Sequence, residues 1–143
     1  MLLGQYESRI GEKHQAGLPK KFKDVLGTKL IVTKGFENCL IIVSEDNWKT
    51  LLEGTEGKPF TNKSIRELQR FLLGNATYVE LDQKGRFVVP EYLRKFAQID
   101  TDIVFVGVQR FVEIWNKDSW EEHQEHLAKN IESIAEKLQE TDE

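Results

Sequence analysis

Polar and apolar positions alternate along this chain in two rounds of one pattern. In the second round, Val79 and Leu81 lead into Asp82-Gln83-Lys84-Gly85-Arg86, and Phe87-Val88-Val89 resumes the apolar run until Pro90 stops it. The pattern predicts strand, tight turn, strand, with Gly85 free to take the positive φ that such turns often need. Pro90 then opens a short helix over 91–97, where its missing N–H costs nothing. Strands are expected over 103–106 and 111–115, with Gly107 supplying the turn between them. A last helix begins near Asp118, where Asp118-Ser119-Trp120-Glu121 has the spacing of a capping box. Leu127, Ile131, Ile134 and Leu138 form a stripe along it, made to lie on the rest of the chain or on a second subunit.

The first round has the same grammar. Residues 10–19 line up with residues 81–90 at an offset of 71. Strands over 2–10 and 16–18 flank the corresponding turn, and Pro19 opens a helix over 20–26. A hairpin of 30–33 with 40–43 follows, with Gly35 in its turn, and a helix starts near 44–46. Past one inserted residue the offset becomes 72, which matches Ile31-Val32 with Ile103-Val104, Gly35 with Gly107, Ile42 with Ile114, Asp46 with Asp118 and Trp48 with Trp120. A period this long marks a duplicated half-domain rather than a solenoid unit. Between the halves, 53–60 carries two glycines and a proline and reads as a connector. A helix over 62–73 follows, with Ile65, Leu68 and Leu72 on one face, Arg66 and Arg70 on another, and Gly74 as its stop. The expected organisation is an α+β chain: a first half over 1–52, a connector and helix over 53–74, and a second half with a C-terminal helix over 75–143.

Charge changes this picture more than composition does. The net charge of −4 argues weakly against nucleic acid. Residues 9–34, however, hold seven Lys and Arg against two acidic residues, whereas residues 113–143 hold three Lys against ten Asp and Glu. The acidic excess therefore belongs to the C-terminal end, and the field near the start is positive. The longest glycine-free apolar run, Cys39–Val43, is far shorter than the ~20 residues that span a bilayer. Met1-Leu2-Leu3 meets Gly4 at once, so no signal peptide is expected. A single cysteine builds no disulfide framework, which favours the cytosol, and Cys39 reads as a small core residue.

Candidate chemistry is sparse. His123 and His126 share a helix face, but two donors from one helix leave a metal site half built, and Glu121, Glu122 and Glu125 around them read as solvated charge. No nucleophile elbow, Walker loop or dinucleotide-binding glycine pattern occurs, so neither catalytic residue, metal nor cofactor is expected. Trp48, Trp115 and Trp120 read as core anchors. The turn at 82–86 leaves two main readings open. It is either a salt-bridged turn with no further role, or a basic loop tip presented to a phosphate backbone.

The duplicated strand–Asp-x-x-x-Arg–strand–Pro unit resembles the MraZ family of bacterial transcriptional regulators. The resemblance rests on Met1-Leu2-Leu3-Gly4, residues 35–40, Arg66-Glu67-Leu68-Gln69-Arg70, residues 81–86, Val89-Pro90 and Val112-Glu113-Ile114-Trp115. It implies an AbrB-like swapped-hairpin fold in which the two halves imitate a dimer. It also implies a cytoplasmic, nucleoid-associated, ring-shaped homo-oligomer that binds direct repeats in the promoter of the division and cell-wall gene cluster and represses it. Its partners would be double-stranded DNA and other copies of itself, with no membrane and no small-molecule substrate. The DNA-binding residues would be Asp82, Lys84, Gly85 and Arg86, joined by Lys13, Lys20 and Lys21. The family's first half usually carries its own Asp-x-x-x-Arg. Here Gly11 and Gln15 stand at those positions and His14 replaces the turn glycine. Only Lys13 survives of that motif's basic pair, and Lys20 and Lys21 are expected to compensate through phosphate contacts. The runner-up is a ring or scaffold protein whose DNA binding has decayed along with its first motif.

Overall fold

A computed structural model describes residues 1–53 and 57–141. Residues 54–56 of the expected connector and residues 142–143 of the C-terminal end lie outside the described residues. Among the described residues, eight strands and five α-helices follow one another, all but one helix in two copies of one unit. The first copy runs β1 (Leu2–Arg9), β2 (Gln15–Gly17), α1 (Lys20–Leu26), β3 (Lys29–Lys34), β4 (Leu40–Ser44) and α2 (Trp48–Leu51). After α3 (Lys63–Leu72) the second copy runs β5 (Thr77–Glu80), β6 (Arg86–Val88), α4 (Glu91–Ala97), β7 (Asp102–Gln109), β8 (Phe111–Asn116) and α5 (Lys117–Thr141).

The copies are interleaved rather than side by side. One sheet has the order β1-β7-β8-β4-β3-β5, all antiparallel, and a second contains only β2 and β6. Each half's first strand thus pairs with the other half's third: β1 with β7, and β5 with β3. A pseudo-twofold axis runs through both sheets. It passes between Ile41 and Glu113, which pair with each other, and between Ala16 and Phe87, which do the same. The core is shared accordingly: Leu2, Ala16, Leu18, Phe22, Leu30 and Val32 lie in one buried cluster with Phe87, Val89, Leu93, Ile103, Phe105 and Ile114. Burying these side chains across the swap supplies the stabilisation that neither half could gather alone.

Strand register corrects the repeat alignment at one place. Leu30 pairs with Ser44 and Val79, and Ile103 pairs with Asn116 and Ser8, so Leu30 and Ile103 are the equivalent residues, rather than Ile31 and Ile103. Gly107 is likewise a strand residue and not a turn. It faces Gly4 across the β1–β7 ladder, where a Cβ would stand 2.5 Å from the Leu3 nitrogen. The second hairpin turns at Gln109 and Arg110 instead, with Gln109 at φ 72°, while the first turns at Glu37 and Asn38. The cap of α5 also differs from expectation. Asn116 Oδ1 accepts from the Ser119 N–H at 3.1 Å, so the helix begins directly out of β8. Its counterpart Ser44 accepts from the Asn47 N–H at 3.2 Å.

Both short helices form where Pro19 and Pro90 place them, ending at Gly27 and at a left-handed Gln98. Asn62 caps α3, and Thr33 Oγ1 donates to the Leu72 carbonyl at 2.6 Å, tying that helix to β3. On α5, Trp120 Nε1 donates to Gln5 Oε1 at 2.9 Å and Lys117 pairs with Glu7, fixing the helix start to β1. Farther along the same helix, Ile131 and Leu138 are exposed. Among the described residues, no helix is long and apolar enough to cross a membrane.

Candidate nucleic-acid interface

The turn between β5 and β6 is held by one carboxylate. Asp82 Oδ1 accepts from the backbone N–H groups of Lys84 and Arg86, each at 2.9 Å, and Oδ2 accepts from Arg86 Nε at 2.9 Å. The backbone closes the same loop, with Asp82 N–H to the Arg86 carbonyl at 2.9 Å and Gly85 N–H to the Asp82 carbonyl at 3.0 Å. Gly85 sits at φ 77°, which a residue with a Cβ adopts only at a cost. Hydrogen bonds from the Arg86 backbone, then its side chain, hold the Asp82 carboxyl below its ordinary value of 3.8. Arg86 and Asp82 remain partly exposed, so the pair adds little to stability. Its effect is orientation. Asp82 occupies Nε and, among the described residues, both terminal Arg86 nitrogens lack a protein acceptor.

The three-pair β2–β6 ladder sets the surroundings. Phe87 and Ala16 face the core, while Arg86 and Val88 face outward, with Gly17 directly opposite Arg86. Gly17 offers no side chain there, and the space a Cβ would fill is open. The Arg86 guanidinium therefore emerges beside a bare stretch of backbone. Lys84 is exposed at the tip.

The first turn keeps the backbone closure but not the brace. Gly11 N–H donates to the Gln15 carbonyl at 2.9 Å, as Asp82 does to Arg86. Glu12–His14 form a single helical turn in which Lys13 and His14 both take φ 59°. Two consecutive non-glycine residues in the left-handed region are backbone strain, of a kind that the second turn confines to Gly85. Lys13 is exposed on this turn and, among the described residues, has no carboxylate to orient it.

Lys20 and Lys21, expected to compensate for the altered first motif through phosphate contacts, lie on a helix that the swap brings to the second turn. The swap anchors α1 to the second turn, because Leu18 N–H donates to the Gly85 carbonyl at 2.9 Å. By the same symmetry Val89 N–H donates to the His14 carbonyl at 3.1 Å, and α4 accompanies the first turn. The intact Asp82–Arg86 turn thus neighbours the lysine-rich helix, whereas the altered turn neighbours a helix whose Glu91 and Lys95 pair with each other. Lys23 was missed from sequence and lies nearest of all, its side chain packed over Gly85. A signal existed: the repeat places Lys23 opposite Arg94, basic in both halves.

The histidine pair has a structural explanation. His123 stacks on Trp115 with centroids 4.9 Å apart, and His126 contacts Asn130. Among the described residues no group of three or more His, Cys, Asp or Glu is placed to hold a metal. Cys39 is buried, and desolvation together with nearby Glu113 pushes its thiol well above the ordinary range. Arg66 donates to the Phe60 carbonyl and Arg70 pairs with Glu67, so both are engaged on α3.

Comparison with known proteins agrees with this geometry. The sequence profile of the MraZ protein family, described as antitoxin-like, matches the chain twice, over residues 1–71 and 72–142. The chain belongs to the MraZ family. It is 43% identical over 138 residues to a protein of Caldanaerobacter subterraneus subsp. tengcongensis named transcriptional regulator MraZ, covering 96% of each chain. Proteins of the same name from Thermoanaerobacter pseudethanolicus and Clostridium tetani are 41% and 39% identical over 140 residues, with 98% of each chain covered. The double match agrees with the α+β architecture of two AbrB-like halves. These MraZ relatives are named as regulators of transcription rather than as enzymes.

Proposed function

We propose that this chain is a sequence-specific, double-stranded-DNA-binding transcriptional regulator without catalysis. In this reading it represses the division and cell-wall gene cluster from the cytoplasmic nucleoid, as a ring-shaped homo-oligomer on direct promoter repeats. The observation that carries the reading is the Arg86 guanidinium, braced through Nε by Asp82 and, among the described residues, without another protein acceptor beside the bare Gly17 backbone. A fork fixed in direction suits bidentate contact with a phosphate or with the O6/N7 edge of guanine, and Lys84 adds a point charge. Lys20 and Lys21 supply phosphate contacts beside it, and Lys13 supplies one at the first turn. One such turn per chain binds weakly. Several held in register with successive repeats gain affinity through effective concentration, and the exposed Ile131 and Leu138 on α5 give a surface for such assembly.

Fluorescence anisotropy with a duplex from upstream of the protein's own gene, beside a scrambled duplex, tests the reading. Neutralising four to six phosphates gives a slope of log K against log salt of roughly −4 to −5. Repeat-preferring binding with that slope, lost in Arg86→Ala, is expected. The strained, unbraced first turn favours a second reading, a scaffold that has lost specific DNA binding. Equal weak binding to both duplexes, indifferent to Arg86→Ala, would establish it.

A further inference from the structure

The DNA-binding reading counts Lys20 and Lys21 of α1 among the phosphate contacts but leaves out Lys23, the α1 side chain that the structure brings onto the second turn. A Cβ placed on Gly85 would lie 3.4 Å from Lys23 Cδ and 3.9 Å from Lys23 Nζ. The lysine stem therefore covers the glycine, and its ammonium stands beside the turn that carries Lys84 and Arg86. Among the described residues Lys23 forms no ion pair. Asp24, its neighbour in sequence, does not pair with it.

The opposite half shows what this arrangement requires. Arg94 occupies the position equivalent to Lys23, on α4 beside the first turn. Its guanidinium is engaged, donating to the Val89 carbonyl. The first turn has His14 where the second has Gly85, so a side chain replaces the bare backbone on which the lysine rests. One half offers a seat and a free cation to fill it; the other offers neither.

We propose that Lys23 completes the anion-binding surface of the second turn, so that Lys23, Lys84 and Arg86 contact neighbouring phosphates of one duplex. The DNA-contacting unit is then composite, built from α1 of one half and the turn of the other. This inference rests on the DNA-binding reading and deepens it. Lys23 acts through charge on the phosphate backbone, so its loss weakens binding to all duplexes equally and leaves sequence choice to Arg86.

The test is salt-dependent anisotropy with the upstream and scrambled duplexes, for the intact chain and for Lys23→Met, Lys23→Arg and Arg86→Ala. Lys23→Met keeps an apolar stem over Gly85 while removing the charge. Losing one phosphate contact makes the salt slope shallower by about 0.9, which corresponds to about five- to eightfold weaker binding at ~0.10–0.15 M salt. That loss on both duplexes, with the slope restored by Lys23→Arg, is the expected result. If Arg86→Ala abolishes preference while Lys23→Met leaves slope and affinity unchanged, the inference fails and the DNA-binding reading stands. If Lys23→Met weakens binding without changing the slope, Lys23 is a structural support and the inference fails again. If the intact chain shows no salt-dependent binding, both fall together. Should Lys23→Met melt earlier than the intact chain, Lys23→Gln at matched folded fraction gives the same slope comparison.

Discussion

Gly107→Ala tests the strand swap on which the composite surface depends. The new Cβ would stand 2.5 Å from the Leu3 nitrogen, 2.8 Å from the Leu2 carbonyl carbon and 2.9 Å from Leu3 Cα. All three atoms are β1 backbone, so no side-chain rotation relieves the clash. Reaching the 3.4 Å of ordinary contact needs β1 to withdraw by about 0.9 Å, the difference between two distances given by the geometry. A shift of that size disrupts the ladder where Leu3 faces Val108 and Gly4 faces Gly107. Two weakened backbone hydrogen bonds at about 0.5–1.5 kcal/mol each, plus overpacking of about 1–3 kcal/mol, give a gross loss of about 2–6 kcal/mol. The lower backbone entropy of unfolded alanine returns about 0.5–1 kcal/mol. The net expectation is about 1–5.5 kcal/mol of destabilisation.

Urea denaturation measures this loss, with Gly17→Ala as the comparison. Gly17 has an ordinary φ and nothing within 4 Å of a new Cβ, so its substitution should bring only the entropic gain, a stabilisation of about 0.4–1 kcal/mol. Hydrogen exchange adds the location: amides of β1 should lose protection in Gly107→Ala before those of β4 and β8. A Gly107→Ala protein within about 0.5 kcal/mol of the unaltered chain, with β1 protection intact, would refute the close β1–β7 approach and with it the interleaved topology.

Three further outcomes follow from the turns. Gly85→Ala should cost about 1–2 kcal/mol through its positive φ alone, because its nearest contacts are at ordinary van der Waals distance; thermal melting checks this, and no change would refute the strain. The Asp82 carboxyl has a folded-state value below its ordinary 3.8, so the stability it gives is present above that ordinary value and is lost as pH falls through the lowered one. The stability difference between the intact chain and Asp82→Asn, read by urea denaturation from neutral to strongly acid pH, should therefore hold steady at neutral pH and vanish in acid; a difference that persists in acid would contradict the bracing. Rebuilding the first motif with Gly11→Asp, His14→Gly and Gln15→Arg should steepen the salt slope of DNA binding by about 0.9 or more, and an unchanged slope would mean that the first turn does not meet DNA.

Local pattern and pairing were legible to different degrees. The bounds of α1 and α4 followed from Pro19 and Pro90, because a ring-locked φ and a missing N–H admit few starting points. The Asp82–Arg86 brace was also readable, since both partners belong to one five-residue turn. Gly107 was misread because glycine signals a turn and a close backbone approach with the same letter; only the neighbouring strand tells them apart. The cap at Asn116 was hidden because β8 runs straight into α5, and Asp118 offered the more familiar spacing. The neighbours of the candidate site were least legible. Lys20 and Lys21 follow the first turn in sequence, yet the β2–β6 pairing carries their helix to the second.

That exchange of neighbours accounts for the uneven repair of this duplicated chain. In an unswapped duplication, loss of Asp and Arg from the first turn would leave α1's lysines beside a turn unable to orient them. With the swap, Lys20, Lys21 and Lys23 accompany Asp82, Lys84 and Arg86, whereas the unbraced turn accompanies Glu91 paired with Lys95. Positive charge and oriented fork are thereby gathered around one turn, and the pseudo-twofold symmetry of the backbone is broken in its electrostatics. On the proposed DNA-binding reading, such a chain would meet a duplex with a strong and a weak side and would distinguish one direction along the DNA from the other. A symmetric pseudo-dimer would favour palindromic half-sites, by the matching of protein and operator symmetry. An asymmetric one favours unit sites that all point the same way, which is the arrangement a direct repeat provides.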